Sequence, residues 1–326
     1  MSSTNPTIAV VIPTYKVRKH ILNVISRIGP AVSRIYVVDD CCPDGSGAFV
    51  ENNCNDQRVI VLRTSENQGV GGAVMLGYTT ALADKFDIIV KIDGDGQMDP
   101  RLIPTFVAPI MEGAADYTKG NRFFDLDEIQ SMPRLRLFGN AALSFVNKLS
   151  SGYWDLFDPT NGYTAIHRDI ACRLPFNKLH RNYFFETDML FRLNTLRAVI
   201  VDIPMTAHYD DEVSNLKISL VLSDFVLNHI RNFCKRIFYN YYLRDMSIAS
   251  LELPAGLISL TFGILFGGWH WGSSWRTGLP ATAGTVMLSA VAILVGFQFL
   301  LAFLAYDISS VPRRSLRMSD ARNIIG

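Results

Sequence analysis

From Ala281 to Tyr306 the chain carries no charged residue, and from Leu251 to Trp271 it carries one, Glu252, at the edge. About 20 apolar residues in a row are enough to cross the hydrocarbon of a bilayer, and both stretches meet that length. A buried hairpin in a soluble core is the competing reading; the length and the lack of charge argue against it. Trp269, Trp271 and Trp275 cluster at one end, as indole rings do at a membrane–water boundary. The short connection from Gly272 to Pro280 holds only Arg276, whereas the flanks hold Arg231, Lys235, Arg236 and Arg244 on one side and Arg313, Arg314, Arg317 and Arg322 on the other. Positive charge collects on the cytoplasmic side of membrane proteins, so both flanks are expected in the cytoplasm and the short loop outside. The chain is therefore read as a domain hung on a two-span hairpin.

The stretch before the hairpin, Leu216 to Ser247, is a helical pattern. Phe225, Phe233, Phe238, Tyr239, Tyr241 and Tyr242 interleave there with Arg231, Lys235, Arg236 and Arg244. A basic, aromatic, amphipathic helix next to a span reads as interfacial. An ordinary packed helix is the alternative. This divides the 326 residues into a domain over 1–215, juxtamembrane amphipathic helices over 216–250, and a two-span membrane region over 251–326 with spans near 251–271 and 281–306 and a basic tail.

The first 215 residues alternate strand and helix patterns. Apolar runs at Ile8–Ile12, Arg34–Val38, Arg58–Leu62, Ile88–Ile92, Tyr117–Arg122 and Ala198–Ile203 read as strands. Helical spacing fills Val17–Ile28, Ala48–Asn53, Ala73–Asp84, Asp99–Glu112, Pro133–Leu149 and Glu186–Asn194. Such alternation means βαβ units, an α/β fold and a mostly parallel sheet. Polar groups gather at the strand ends: Pro13-Thr14-Tyr15, Asp39-Asp40 and Asp93-Gly94-Asp95-Gly96-Gln97. Open α/β sheets bind ligands at the carboxyl ends of their strands.

The last of these clusters carries the most chemistry. Two carboxylates and an amide stand at alternate positions, which in extended chain share a face. Hard oxygen ligands on one face suit Mg²⁺ or Mn²⁺, ions that also take oxygens from a phosphate-bearing substrate. The bland alternative is a solvated Asp/Gly turn. Gly69-Val70-Gly71-Gly72 has the wrong spacing for a dinucleotide fingerprint and reads as a helix start. Net charge is +1, and no basic face marks a nucleic-acid site. The five cysteines form no CxxC pair and no metal-ligand spacing, so free thiols in a reducing compartment are expected. Met1 to Thr7 is short and polar, with no signal-peptide pattern, which keeps the α/β domain on the cytoplasmic side.

The ordered set Val-Ile-Pro-Thr-Tyr, Val-Val-Asp-Asp, Asn67-x-Gly69, Asp93-Gly-Asp-Gly-Gln and Gly120-Asn-Arg122 resembles the family 2 glycosyltransferases of GT-A fold. More narrowly, the chain is similar to the polyprenyl-phosphate glycosyltransferases, the dolichol-phosphate mannose synthase group and its bacterial relatives with two C-terminal membrane helices. The likeness runs from about Ile8 to Leu216, and the order of amphipathic helix, span, loop and span extends it to nearly the whole chain. It implies a Rossmann-like GT-A catalytic domain in a bacterial inner membrane that moves a sugar, with inversion, from a UDP-sugar to polyprenyl phosphate at the cytoplasmic leaflet. The partners implied are a nucleotide sugar, polyprenyl phosphate and the bilayer; a homo-oligomer packed through the spans is compatible with the pattern. By the same resemblance Pro13, Tyr15 and Asp40 line the nucleoside pocket, and Asp93 meets the ribose or the metal. Asp95 and Gln97 join it in holding Mg²⁺ or Mn²⁺ against the donor diphosphate. Arg122 matches the family's G-x-R arginine, and Arg134 or Arg136 a second arginine facing the acceptor phosphate. Asp158 lies in the acceptor loop, and Glu186 and Asp188 stand where other members carry an acidic base.

Physical chemistry agrees with these roles. Negative charge develops on the leaving diphosphate, which metal and arginines stabilise. A phosphate nucleophile is already ionised near neutral pH, so Asp158 would orient groups more than take a proton. The arginines suit bidentate phosphate binding, or alternatively pair at the surface with Asp125, Asp127 and Glu128. Three departures stand out. Cys41-Cys42-Pro43-Asp44 displaces the usual Gly-Ser after Asp39-Asp40. His208–Leu216 lacks the arginine and glycine of the mannose synthases, which leaves the sugar open. A Gln-x-x-Arg-Trp element is missing, which argues against a processive synthase. Transfer to a lipid or glycan hydroxyl, with Asp188 or Glu186 as base, is the near alternative. A non-catalytic nucleotide-binding scaffold and a channel are more distant ones.

Overall fold

A computed structural model describes residues 6–124, 134–206 and 218–317, with side chains outside the description at 134–138 and 218–223. Two compact units emerge: Met1–Phe233 with Pro312–Gly326, and Cys234–Val311.

The first unit is a seven-stranded sheet. Its elements run β1 (Ile8–Thr14), α1 (Ile21–Ser26), β2 (Arg34–Asp39), α2 (Ser46–Asn53), β3 (Val59–Arg63), α3 (Gly69–Ala83), β4 (Ile88–Lys91), α4 (Ile103–Met111), β5 (Tyr117–Asn121), α5 (Arg134–Ser151), β6 (Thr164–His167), α6 (Arg168–Ala171), α7 (Phe185–Leu196), β7 (Ile200–Pro204) and most of α8 (Ile218–Phe238), whose residues from Cys234 on belong to the second unit. Spatial order is β3-β2-β1-β4-β6-β5-β7. The first four strands are parallel, with Val10 opposite Ile35 and Val90. The central strands are buried on both faces, which is why they read as unbroken apolar runs. β6 is antiparallel to both β4 and β5, and β5 pairs with β7 in parallel. The carboxyl ends of β1–β5 and β7 therefore share one rim with the residues that lead into β6. The sheet is mixed, and mostly parallel as expected. The sequence pattern marks no strand at Thr164–His167, because four residues between loop and helix are too short to show a period.

α8 is inside out. His229 and Asn232 are buried while Val226, Leu227 and Ile230 are exposed. Both make hydrogen bonds across the packed face: Asn232 donates to Asp188 Oδ1 at 3.1 Å, and His229 Nδ1 lies 2.8 Å from Ser150 Oγ. The exposed side mixes Val226, Leu227, Ile230 and Phe238 with Asp224, Arg231 and Lys235, the composition of an amphipathic interfacial helix. The tail folds back within this unit: the Leu316 N–H donates to both oxygens of Asp116 at 3.0–3.1 Å, and the Arg317 guanidinium donates to the Ile110 carbonyl.

The second unit holds α9 (Ala249–Thr277) and α10 (Ala283–Ser309). Both are long and apolar enough to cross a membrane, and most of each is uncovered by protein. Each runs past the expected span, and α10 extends far enough to include Asp307. That carboxylate pairs with Arg236 within the unit, Nη1 to Oδ1 at 2.6 Å and Nη2 to Oδ2 at 3.0 Å, both side chains fully buried. Arg236 was expected as an interfacial cation; the structure spends its charge on Asp307. Ser289 Oγ, in the facing helix, donates to the Gly263 carbonyl at 2.9 Å.

Candidate active site

Strand ends deliver the polar groups to the rim. At the end of β2, Asp39 and Asp40 divide the work. Asp39 closes the Cys41–Gly47 loop by accepting the N–H groups of Cys42 and Gly47, both at 2.8 Å. Asp40 is buried; its Oδ1 accepts Thr64 Oγ1 at 3.0 Å and the Gln68 N–H at 2.8 Å. Its own N–H donates to the Thr14 carbonyl, which brings it beside the end of β1. There Pro13 is half-buried and the Tyr15 ring stands exposed. The Gly-rich turn is a helix start, beginning at Gly69. The N–H groups of Gly71 and Gly72 donate to the Arg181 carbonyl at 2.7 and 3.2 Å, so this helix end is capped by protein rather than open to phosphate.

Beyond Lys91 the chain leaves the strand. Asp93-Gly94-Asp95-Gly96-Gln97 is a turn rather than the extended segment that alternation suggested. Asp95 Oδ1 accepts the Gln97 N–H at 2.9 Å, and Gly96 takes φ +85°, a conformation glycine adopts freely. Asp93, Asp95 and Gln97 are all partly exposed, on a tight turn. Their donor set fits Mg²⁺ or Mn²⁺ in kind, being oxygen throughout. Among the described residues no group of three or more Asp, Glu, His and Cys side chains is placed to hold a metal ion. Two carboxylates and an amide leave coordination positions for water and substrate oxygens, as Mg²⁺ sites commonly do.

Two buried lysines flank this turn, and sequence reasoning missed both. Lys91 ends β4 and Lys119 lies in β5, each opposite Thr164 of the intervening strand. Lys91 Nζ lies 2.8 Å from Asp93 Oδ1 and 3.4 Å from Glu186 Oε1. Burial opposes its charge, but the two carboxylates override burial and hold the amine above its ordinary range. Lys119 donates to the Asn161 carbonyl; burial lowers its pKa to about 8, against the pull of Glu186 and Asp158 and with the push of Lys91. The available signal was a lysine inside an apolar strand run, which is costly unless paired. Gly162 makes the room. A Cβ there would lie 2.6 Å from Asp93 Oδ2 and closer still to Lys91 Nζ.

Arg122, just past β5, meets Asp158 in a two-pronged ion pair, Nε to Oδ2 at 2.7 Å and Nη2 to Oδ1 at 3.0 Å. The Asp158 carboxylate thus sets the arginine's direction. Glu186 and Asp188 diverge. Glu186 turns to Lys91, whereas buried Asp188 accepts the His180 N–H at 3.0 Å, Arg192 Nε at 3.1 Å and Asn232 Nδ2 at 3.1 Å. The structure thus brings together Asp93, Lys91 and Glu186, and separately Arg122 with Asp158, while Asp188 fastens α7 to α8. Arg134 and Arg136 open α5, their side chains outside the described residues; Asp125, Asp127, Glu128 and His208–Leu216 also lie outside them.

Comparison with known proteins accords with this geometry. The family model described as glycosyl transferase family 2 matches residues 9–174. An undecaprenyl-phosphate mannosyltransferase of Micrococcus luteus is 30% identical over 200 residues, covering 60% of this chain and 81% of the relative. A UDP-N-acetylglucosamine–dolichyl-phosphate N-acetylglucosaminyltransferase of Methanococcus voltae is 31% identical over 218 residues, covering 63% and 86%. Among solved structures, glucosyl-3-phosphoglycerate synthase of Mycobacterium tuberculosis, crystallised with Mn²⁺, UDP-glucose and phosphoglyceric acid, shares the fold at TM-score 0.52 and 19% identity, over 71% of this chain and 80% of that one. With the family model spanning β1 to β6 and the GT-A sheet in place, the chain belongs to glycosyl transferase family 2 and is a glycosyltransferase.

Proposed function

We propose that the enzyme transfers a sugar from a nucleotide-diphosphate sugar, a UDP-sugar in the first instance, to polyprenyl phosphate at the cytoplasmic face of a membrane. One observation carries this reading: the rim that bears the Asp93–Gln97 turn and Arg122 also bears an exposed aromatic patch. Phe124, Phe145 and Phe157 are 68%, 53% and 49% exposed. Phe123 packs on Phe157 with ring centroids 5.7 Å apart, and Lys148 Nζ lies 5.9 Å from the Phe157 ring. Aromatic surface with cations beside it suits a phosphate on an apolar chain better than a free sugar or a soluble phosphate. The exposed apolar residues of α8, interleaved with Arg231 and Lys235, and the two long apolar helices support membrane attachment. The named relatives, one acting on undecaprenyl phosphate and one on dolichyl phosphate, support the acceptor class.

On this reading Asp40 Oδ2 and the Tyr15 ring receive the nucleoside, and Asp93, Asp95 and Gln97 hold Mg²⁺ or Mn²⁺. The ion supplies charge neutralisation to the leaving diphosphate. Arg122, aimed by Asp158, faces the phosphates, with Arg134 and Arg136 assigned to the acceptor. Attack by an acceptor phosphate oxygen in line with the leaving group inverts the anomeric carbon. That oxygen is ionised at neutral pH, so no strong base is required. A hydroxyl acceptor is the second reading, with Glu186, 3.4 Å from Lys91 Nζ, as its candidate base.

The test is transfer by the purified full chain in detergent, with polyprenyl phosphate, Mg²⁺ or Mn²⁺ and each labelled nucleotide sugar in turn. Label entering the organic phase for one donor, and not with Asp95→Ala, supports the reading. Transfer that requires a hydroxyl-bearing lipid instead selects the second. Metal-dependent nucleotide binding without transfer to either acceptor overturns the acceptor assignment.

A further inference from the structure

Lys91 occupies the place in the site where charge is balanced. Its side chain is 2% exposed, and it bridges two carboxylates from different elements, Asp93 after β4 and Glu186 in the first turn of α7. A lysine cation so enclosed persists only where carboxylates pair it. The pairing is built rather than incidental, because a side chain at position 162 would collide with both Lys91 and Asp93. The same ammonium therefore stands at contact distance from a carboxylate assigned to the divalent ion. In an enclosed site like charges are felt strongly, and an ion approaching Asp93 and Asp95 alone meets Lys91 as a repelling neighbour. A nucleotide diphosphate arriving with the ion reverses that sign.

We propose that Lys91 is a positioning residue that makes divalent-ion binding conditional on the nucleotide diphosphate while holding Glu186 against the Asp93 turn. The inference rests on the site reading given above. It goes beyond that reading in assigning an order of loading, with metal and nucleotide entering together, to one buried side chain. Glu186 works in the opposite sense to Lys91: its negative charge offsets the ammonium, and its loss leaves the lysine less compensated.

The experiment measures Mn²⁺ binding to the purified full chain by the electron paramagnetic resonance signal of free Mn²⁺, with no nucleotide, with UDP and with GDP. In the native chain Mn²⁺ is expected to bind at least tenfold more tightly with one of the nucleotides than without. Lys91→Met should raise nucleotide-free affinity about tenfold and shrink the nucleotide's effect, while transfer falls because Glu186 is no longer held. Glu186→Gln should shift nucleotide-free affinity the other way, several-fold weaker. Damage to the fold alone would weaken binding in both variants, so the opposed signs are the signature. Unchanged or weaker nucleotide-free binding in a folded Lys91→Met protein overturns the proposal and leaves the metal site standing. Should that variant fail to fold, Lys91→Gln is read in its place: tighter nucleotide-free binding supports the proposal, and unchanged or weaker binding overturns it. Absence of Mn²⁺ binding in the native chain with either nucleotide removes the metal-site reading, and this proposal with it.

Discussion

Arg122 grips Asp158 through two parallel hydrogen bonds, and the carboxylate is 1% exposed while the arginine side chain remains a quarter open to solvent. The backbone N–H of Arg122 and the Asn161 side chain add to the same carboxylate, both at 3.3 Å. The arginine is thus anchored on one side and presented on the other. Asp158→Asn keeps the shape and removes the charge, so Arg122 should lose its direction. Transfer should fall 10- to 100-fold, with stability lowered by about 2 kcal/mol. Arg122→Lys, which lacks the planar fork, should lose transfer comparably yet keep most of the stability. Initial rates and urea melts on the two variants separate the roles; equal stability losses would show the pair to be mere scaffolding.

Gly162→Ala tests the room around Lys91 and Asp93. The added methyl would come within 2.6 Å of Asp93 Oδ2, in a site where Lys91 cannot move into solvent. Transfer should drop at least tenfold, through the displaced Asp93. Because both neighbours are side-chain ends rather than backbone, the cost in stability should stay near 1–2 kcal/mol. Nucleotide binding in the presence of Mn²⁺ should weaken in parallel. A variant with native transfer would show that the pair need not sit as close as the structure has it.

How much of this was legible depends on what each feature does to the sequence. Strands β1 to β4 are buried on both faces, and continuous apolar runs announce them. Their polar ends announce the rim. β6 left no such trace: its four residues are too few for a period, although they set Lys91 and Lys119 on either side of Thr164. Glu186 and Asp188 look equivalent as letters. Two residues apart on a helix they point about 200° from each other, so one reaches Lys91 and the other fastens α8. α8 shows the same limit, since periodicity reveals two faces but not which of them protein covers. Lys91 was absorbed into its strand because apolar neighbours dominate any window that contains it.

Asp202 should make the enzyme more stable as pH falls from neutral. It sits in β7, where burial raises its pKa to about 6; Asp158 and Asp155 add to the rise, and the Phe157 N–H and Lys119 oppose it. Its Oδ2 accepts that N–H at 3.0 Å, and its buried Oδ1 has no hydrogen-bond partner among the described residues. A carboxyl whose folded pKa lies above its unfolded value binds its proton more tightly in the folded state. Folding is therefore penalised above pH 6, and the penalty fades between pH 6 and about 4. Two units correspond to at most about 2–3 kcal/mol. Asp202→Asn, with a carbonyl still available to Phe157, should raise stability at pH 7.5 by about 1–2 kcal/mol and leave it unchanged at pH 4. Melts at the two pH values check this; a gain of the same size at both would place its origin outside the titration.

The Arg236–Asp307 pair predicts an asymmetry between single and double substitution. Both side chains are fully buried, joined by two hydrogen bonds, and Tyr241 donates its hydroxyl to Asp307 Oδ1 at 2.5 Å. Asp307→Leu strands a guanidinium away from water, so it should cost about 3–5 kcal/mol or abolish accumulation of the protein. Arg236→Met strands a carboxylate, which still has Tyr241, and should cost somewhat less. With both replaced, no buried charge remains and two apolar chains fill the space. Stability should return to within about 1 kcal/mol of the native chain, the residue being the hydrogen bond that Tyr241 has lost. Thermal unfolding in detergent of the two single variants and the double variant closes this cycle. Additive losses would mean that the pair is solvated in the membrane-attached protein, and that Arg236 belongs with the interfacial cations after all.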